Sequence, residues 1–305
     1  MSAMAYVSRA PVCPALARPT LRVIPMNPTP KRLILNMLMA SEDGCMSARD
    51  AINACRLFGV RENTARVTLV RLAGAGMIES AGRGAYRLGG AAAGLAQDIA
   101  RWRNADHHVS EWSGAWIAVH VGGLPRSDRS VMRARERALF LLGLREHTPG
   151  LWLRPDNLVG GVEGARARLY ALGLDQDASV FLAERLDAHQ EQRARSLWDG
   201  AVLNASYREM RNRLEEWLAR ADQLEPDVAA REVFLLGDRA IRQMVYDPLL
   251  PAPLVDVQAR QAFFASLLHF DEAGHAIWRR LQLTHYEAGA AARTMPDSAS
   301  ARTRH

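Results

Sequence analysis

The chain has 305 residues, 49% of them hydrophobic, which is enough to bury a sizeable core and to divide into two or three domains. Its longest apolar runs, "LILNMLMA" from residue 33 and "WIAVHVGGL" from residue 116, fall short of the ~20 residues a membrane span needs. Cys13, Cys45 and Cys55 lack the spacing of a disulfide framework or a zinc site. These features exclude a fibrous, membrane-spanning or disulfide-built protein and lead us to expect a soluble, cytoplasmic one with no cofactor and no metal. Charge is uneven: residues 1–90 carry 12 Lys/Arg against 5 Asp/Glu, whereas residues 91–305 carry 27 against 28. Such asymmetry fits a polyanion-binding N-terminal domain joined to a near-neutral remainder. Part of the arginine load reflects codon usage, since Lys31 is the only lysine.

Residues 1–29 hold Arg9, Arg18, Arg22, no acid and five prolines, without the apolar core of a secretory signal. A disordered arm is expected there, or an over-long start with Met26 as the initiator. "PKRLILNMLMAS" then places Leu33, Ile34, Met37, Leu38 and Met39 at helical spacing after Pro30. "SARDAINACRLFGV" reads as a second helix, capped by Ser47 with Asp50 three residues on and stopped by Gly59. Its apolar face is Ala51, Ile52, Cys55 and Phe58.

The third helix is expected from about Arg61 to Ala73. At 100° per residue Ala65, Leu69 and Leu72 share one face, with Glu62 nearer to it than to the opposite side. The opposite side presents Asn63, Thr64, Val67, Val70 and Arg71, with Arg66 at its edge and Arg61 at the helix start. Amides, hydroxyls, methyl groups and arginines suit base edges and phosphates in a major groove. "MIESAGRGAYRL" alternates as a strand, turns through Gly82, Arg83 and Gly84, and returns through Tyr86 and Leu88. Three helices and a basic hairpin at 30–90 make a winged helix-turn-helix, with Arg83 and Arg87 on the wing touching phosphate or the minor groove. A trihelical unit with a hairpin also serves as a protein-docking or dimerisation module. The confined charge surplus favours DNA.

Residues 91–113 read as a linker helix, in which His107 and His108 lack ligand partners at metal-site spacing. From Trp116 the pattern alternates in the order β-α-β-α-β: "AWIAVHV", "RSVMRARERALFLLG", "GLWLRP", "VEGARARLYALG" and "ASVFLAERL". That order suggests a ferredoxin-like α/β domain at 114–190. A helical C-terminal domain follows at 191–284, with helices at about 195–222, 227–246 and 258–281 and the prolines of "YDPLLPAPL" breaking the last two apart. Residues 285–305 are rich in Ala, Ser, Thr and Arg and are expected to be a disordered tail. The fold class expected is α+β.

Five motifs stand in one order: "RVTLVRLAGAGMIE" at 66–79, "WSGAW" at 112–116, "PGLWLRPDNL" at 149–158, "LWDGAVLNASYREM" at 197–210 and "YDPLLPAPL" at 246–254. In these the chain, over residues 31–281, resembles the PaaX family of bacterial transcriptional repressors of aromatic catabolism. The resemblance implies a winged-helix reader, a ferredoxin-like centre and a helical C-terminal domain. It further implies a homodimer on a palindromic double-stranded DNA operator, released by an aryl-CoA thioester such as phenylacetyl-CoA. Arg66 and Arg71 match the arginines of the family's recognition-helix motif, and Arg154 matches that of its "GLW-x-RP" motif. The family's usual "RDPLLP" is "YDPLLP" here, with Tyr246 in place of the arginine.

An effector bound between the central and C-terminal domains would meet Trp152, Arg154, Trp198, Tyr207 or Tyr246, aromatics and an arginine able to grip an aryl or CoA group. Each is equally a core aromatic or a structural ion-pair member. Two alternatives remain open. One is a DNA-binding regulator with no small-molecule effector. The other is a metal-dependent nuclease acting through the central domain, which would need carboxylates clustered at strand ends. The first strand, "WIAVHV", ends in glycines instead, and "HFDEAGH" at 269–275 lacks the i, i+4 histidine pair of a zinc site.

Overall fold

Thr29 caps and Pro30 opens the first helix, α1 (Pro30–Ala40), where a missing proline N–H leaves no hydrogen bond unmade. The structure is a computed structural model that describes residues 28–41, 44–92, 101–125 and 127–294; residues 1–27 of the expected arm, part of the linker and the end of the tail lie outside the described residues. Strand β1 (Cys45–Ser47) leads into α2 (Ala48–Leu57), whose cap is Ser47, its hydroxyl accepting the Asp50 N–H at 3.0 Å. α3 (Glu62–Gly74), β2 (Ile78–Ser80) and β3 (Ala85–Leu88) complete this unit. Gly82 (φ 118°) and Gly84 (φ 70°) adopt backbone angles open to glycine and closed to most L-residues, so the turn between β2 and β3 falls where the sequence places it. The sheet has three strands, ordered β1-β3-β2, because the short segment after α1 adds itself to the expected hairpin. Leu33, Ile34, Leu38, Ile52, Cys55, Ala65, Leu69 and Leu72 close its core, and burial pushes the Cys55 thiol up to about 11.

Of the expected linker helix, residues 90–92 are helical and 93–100 lie outside the described residues; further on, Arg101–His108 form a 3-10 segment interrupted at Asn104, whose backbone (φ −118°, ψ 21°) leaves the helical range. Beyond it lie β4 (Trp116–His120), α4 (Arg129–Leu141), β5 (Arg145–Thr148), β6 (Leu151–Pro155), α5 (Gly161–Ala171) and β7 (Ser179–Ala183). The order is therefore β-α-β-β-α-β. β5 escapes the sequence pattern because it is a four-residue polar edge strand, "REHT", with no alternation to mark it. All pairings are antiparallel in the order β5-β6-β4-β7. Ile117 and Val119 of β4 face α4 and α5, while Trp116 and Ala118 face elements from the far end of the chain, including Ala194, Trp198 and Leu250. Burial on both faces explains why β4 reads as one continuous apolar run.

α6 (Ala188–Arg195), α7 (Gly200–Leu218), α8 (Pro226–Val245) and α9 (Val257–Thr294) form the helical remainder, with Tyr207, Trp217, Phe263, Leu267 and Phe270 at its centre. α7 is the helix expected from about residue 195; it begins at Gly200 because Asp199 caps it by accepting the Val202 N–H at 3.0 Å, and α6 precedes it where no helix was expected. Gly200 has no Cβ because the Leu254 carbonyl of the proline-rich loop lies directly on it. α9 continues to Thr294, ten residues past the expected domain end, through the Ala-rich helix-favouring stretch "AGAAART". Among the described residues no helix is long and apolar enough to cross a membrane. The whole is an α+β protein.

The N-terminal unit is not free of the rest. Phe58 packs edge-on to Phe234 of α8 with ring centroids 5.2 Å apart, and Trp278 of α9 packs against both the N-terminal and the C-terminal core. Arg32 of α1 forms a two-pronged ion pair with Asp238 of α8, its Nε donating at 2.9 Å to the oxygen that also accepts from Asn36 Nδ2 at 3.0 Å.

Candidate functional site

On α3 the buried face is Ala65, Leu69 and Leu72, the three residues the helical spacing selects. Everything the sequence placed opposite them is exposed: Asn63, Thr64, Arg66, Val67 and Arg71. Val67 is 49% and Val70 70% exposed, a large apolar exposure for branched residues on a short helix. Arg61, which precedes α3, and Arg83 and Arg87 on the hairpin are exposed as well.

The arginines are not equivalent. Arg66 Nη2 lies 2.7 Å from Glu62 Oε1, one helical turn earlier, and Arg87 Nε lies 2.7 Å from Glu79 Oε1 across the hairpin. Among the described residues the side chains of Arg61, Arg71 and Arg83 have no such partner. Glu62 therefore departs from its expected place. It is half exposed and neutralises Arg66, because it is the first residue of α3, where the helix has not yet reached the core. The outward surface thus carries one carboxylate at its N-terminal end. Exposed pairs of this kind contribute only about 0.3–0.5 kcal/mol, so this one costs little to break.

The five aromatic and arginine positions expected near an effector are dispersed. Trp152 packs against the core between the central sheet and its helices. Trp198 stacks on Trp116 at 6.3 Å with rings nearly parallel, beneath the opposite face of the sheet. Tyr207 is fully buried and stacks on Phe263 in the helical core, where burial pushes its hydroxyl well above the usual phenol range. Arg154 is 2% exposed; it donates to the Leu142 and Pro155 carbonyls and, at 2.8 Å, to Asn157 Oδ1. Asn157 passes the chain of hydrogen bonds on to the Leu249 carbonyl at 2.7 Å, and Arg260 Nη1 holds the Leu250 carbonyl at 2.6 Å. This chain of bonds fastens the proline-rich loop to the central sheet. Burial pushes the Asp247 carboxyl up, with Tyr207, Arg260 and Arg154 drawing it back.

Tyr246 differs from the other four. It is 50% exposed, tilts against Phe140 at 6.2 Å and lines a cavity of about 740 Å³ between α1, α8 and α9. The residues of that cavity, Arg32, Asn36, Asp238 and Arg242 among them, went unnoticed in the sequence. Contacts spanning about two hundred residues leave no periodic trace.

Among the described residues no three His, Cys, Asp or Glu side chains converge as a metal site would require. His107 is solvent-exposed.

Fold and surface together define a multi-unit α+β protein with an exposed, arginine-bearing helix beside a glycine-turned hairpin. Residues 198–280 match the family model described as PaaX-like protein C-terminal domain. No curated protein matches the chain. Among solved structures the chain is similar to the "Uncharacterized protein Rv0674 from Mycobacterium tuberculosis", with a TM-score of 0.59 and 22% identity over 83% of this chain and 99% of that one. At that identity the likeness is one of fold.

Proposed function

We propose that the chain is a sequence-specific DNA-binding transcriptional repressor. Residues 30–90 act as a winged helix-turn-helix, residues 114–190 as a ferredoxin-like centre and residues 191–284 as a helical regulatory domain. α3 enters the major groove and Arg83 meets the backbone or minor groove beside it. Two such units, brought together in a homodimer, read a palindromic operator about one helical turn apart, and an aryl-CoA or related aromatic catabolite releases them. The observation that carries this reading is the outward face of α3: Asn63, Thr64, Val67 and Arg71 are all exposed, and Arg71 has no partner among the described residues. The strand order β5-β6-β4-β7 with its β-α-β-β-α-β connectivity supports the ferredoxin-like assignment.

A gel shift against the intergenic DNA upstream of its own gene, with and without phenylacetyl-CoA, tests the reading. The wild-type protein binds specifically, and the Arg71→Ala, Arg83→Ala double variant loses affinity and about two units of salt slope. Equal binding by wild type and double variant at low salt contradicts it.

A further inference from the structure

The cavity between α1, α8 and α9 joins an apolar wall to a row of charged groups. Its walls include Met37, Met39, Phe234, Phe270 and Trp278, an apolar and aromatic lining able to enclose a small organic body. Its charged groups are predominantly cationic. Lys31, Arg32, Arg103, Arg137 and Arg242 all border it, against Asp50, Asp238 and Asp271. Arg103 is taken up by Asp271 at 2.7 Å. Arg32 and Arg242 share one carboxylate: Arg32 is bound to Asp238 by two hydrogen bonds, while Arg242 Nε stands 3.7 Å from the same group. Burial first, and then the charge of Arg242, depress Arg32 to about 10. Two guanidinium groups divided over one carboxylate leave positive charge uncompensated beside an apolar chamber.

The position of this chamber gives that charge a consequence. Arg32 and Asn36 lie on α1, which packs directly against α2 and α3, while Asp238 and Arg242 lie on α8. The Arg32–Asp238 pair is thus one of the few polar ties between the DNA-facing unit and the helical domain, and it forms the wall of the chamber.

We propose that this cavity is the regulatory ligand site, and that its ligand is an organic anion with an aromatic or aliphatic body whose anionic end engages Arg242 and Arg32 in place of Asp238. The body lies against Phe234, Phe270 and Tyr246. Taking Arg32 away from Asp238 frees α1 from α8 and lets the unit carrying α3 change its position relative to the rest of the chain. The ligand acts because it binds this released arrangement better than the tied one. The inference rests on the reading of the chain as a ligand-responsive DNA-binding regulator and specifies where that response begins.

Calorimetry on the full-length chain with 1-naphthoate and with neutral 1-naphthamide tests it. Naphthoate is expected to bind at least about tenfold more tightly than the amide. Arg242→Ala removes that preference, and Val245→Trp, which fills the cavity, removes binding of both probes. Circular dichroism and a thermal melt accompany each variant, and Ile241→Phe serves if Val245→Trp fails to fold. In the gel shift, saturating naphthoate weakens DNA binding by the wild type and not by Arg242→Ala. No binding of naphthoate, equal binding of acid and amide, or binding indifferent to both substitutions overturns the site. Naphthoate that binds without changing DNA affinity overturns its regulatory role. Absence of DNA binding in the untreated wild type counts against the regulator reading instead, and the calorimetry stands apart from it.

Discussion

Arg71 and Arg154 carry the same side chain and both stand in motifs of the kind a binding site uses, yet their surroundings are opposite. Arg71 projects from the last turn of α3 into solvent, with no partner for its guanidinium among the described residues. Arg154 is enclosed, and its donors are matched to two carbonyls and the Asn157 amide oxygen. An exposed, unmatched arginine costs nothing to present and gains when a phosphate arrives. A buried one is costly to desolvate, and here each of its three nitrogens is already held by an acceptor within the protein, which makes it a fastening rather than a ligand contact. Motif membership alone does not separate a contact from a fastening, whereas the satisfaction of the donors does.

The largest effect that can break this contrast is on stability. Arg154→Ala leaves the Leu142 and Pro155 carbonyls and Asn157 Oδ1 without a donor and loosens the proline-rich loop; a loss of about 3–5 kcal/mol is expected in urea or thermal unfolding. A well-folded Arg154→Ala protein that has lost only an effector response would reverse the assignment. A smaller effect, roughly 2 kcal/mol, is expected for Asp238→Asn, because Arg32 and Arg242 then face one another with no carboxylate between them. Faster proteolysis at the α1–α8 junction, followed by mass spectrometry, would report the loosening directly. The smallest change belongs to the exposed surface. Glu62→Gln frees Arg66 and removes the only carboxylate from the outward side of α3, so DNA affinity should rise about two- to fivefold at low salt with stability altered by less than about 0.5 kcal/mol. Unchanged affinity would place Arg66 outside the contact surface.

Parts of the fold were legible because local chemistry decided them. The Ser47 cap, the Gly59 stop and the Ala65, Leu69, Leu72 spacing each act within a turn or two of the chain, and α2 and α3 follow from them. The strands β1 and β5 were not legible. Each is three or four residues long: β1 exists because β3, some forty residues on, offers it hydrogen bonds, while β5, though it pairs with the very next strand, is a polar edge segment with no apolar alternation to mark it. The same division holds for the sites. The outward face of α3 can be read from periodicity, since it is the complement of a buried stripe. Trp198 and Tyr207 cannot be placed that way, because an aromatic ring has the same type whether it meets Trp116, Phe263 or a ligand. The cavity is the extreme case, made by residues of α1 and α8 more than two hundred positions apart.

Trp278 belongs at once to the core beneath α3 and to the core among α7, α8 and α9. A side chain shared between two cores ties their melting together, so neither half can open without exposing it. Whatever steadies one half must then steady the other. On the proposed reading, DNA bound at α3 slows amide exchange in α8 and α9, at a distance and with no direct touch. The indole itself, lying at that seam, would report the event through its own fluorescence.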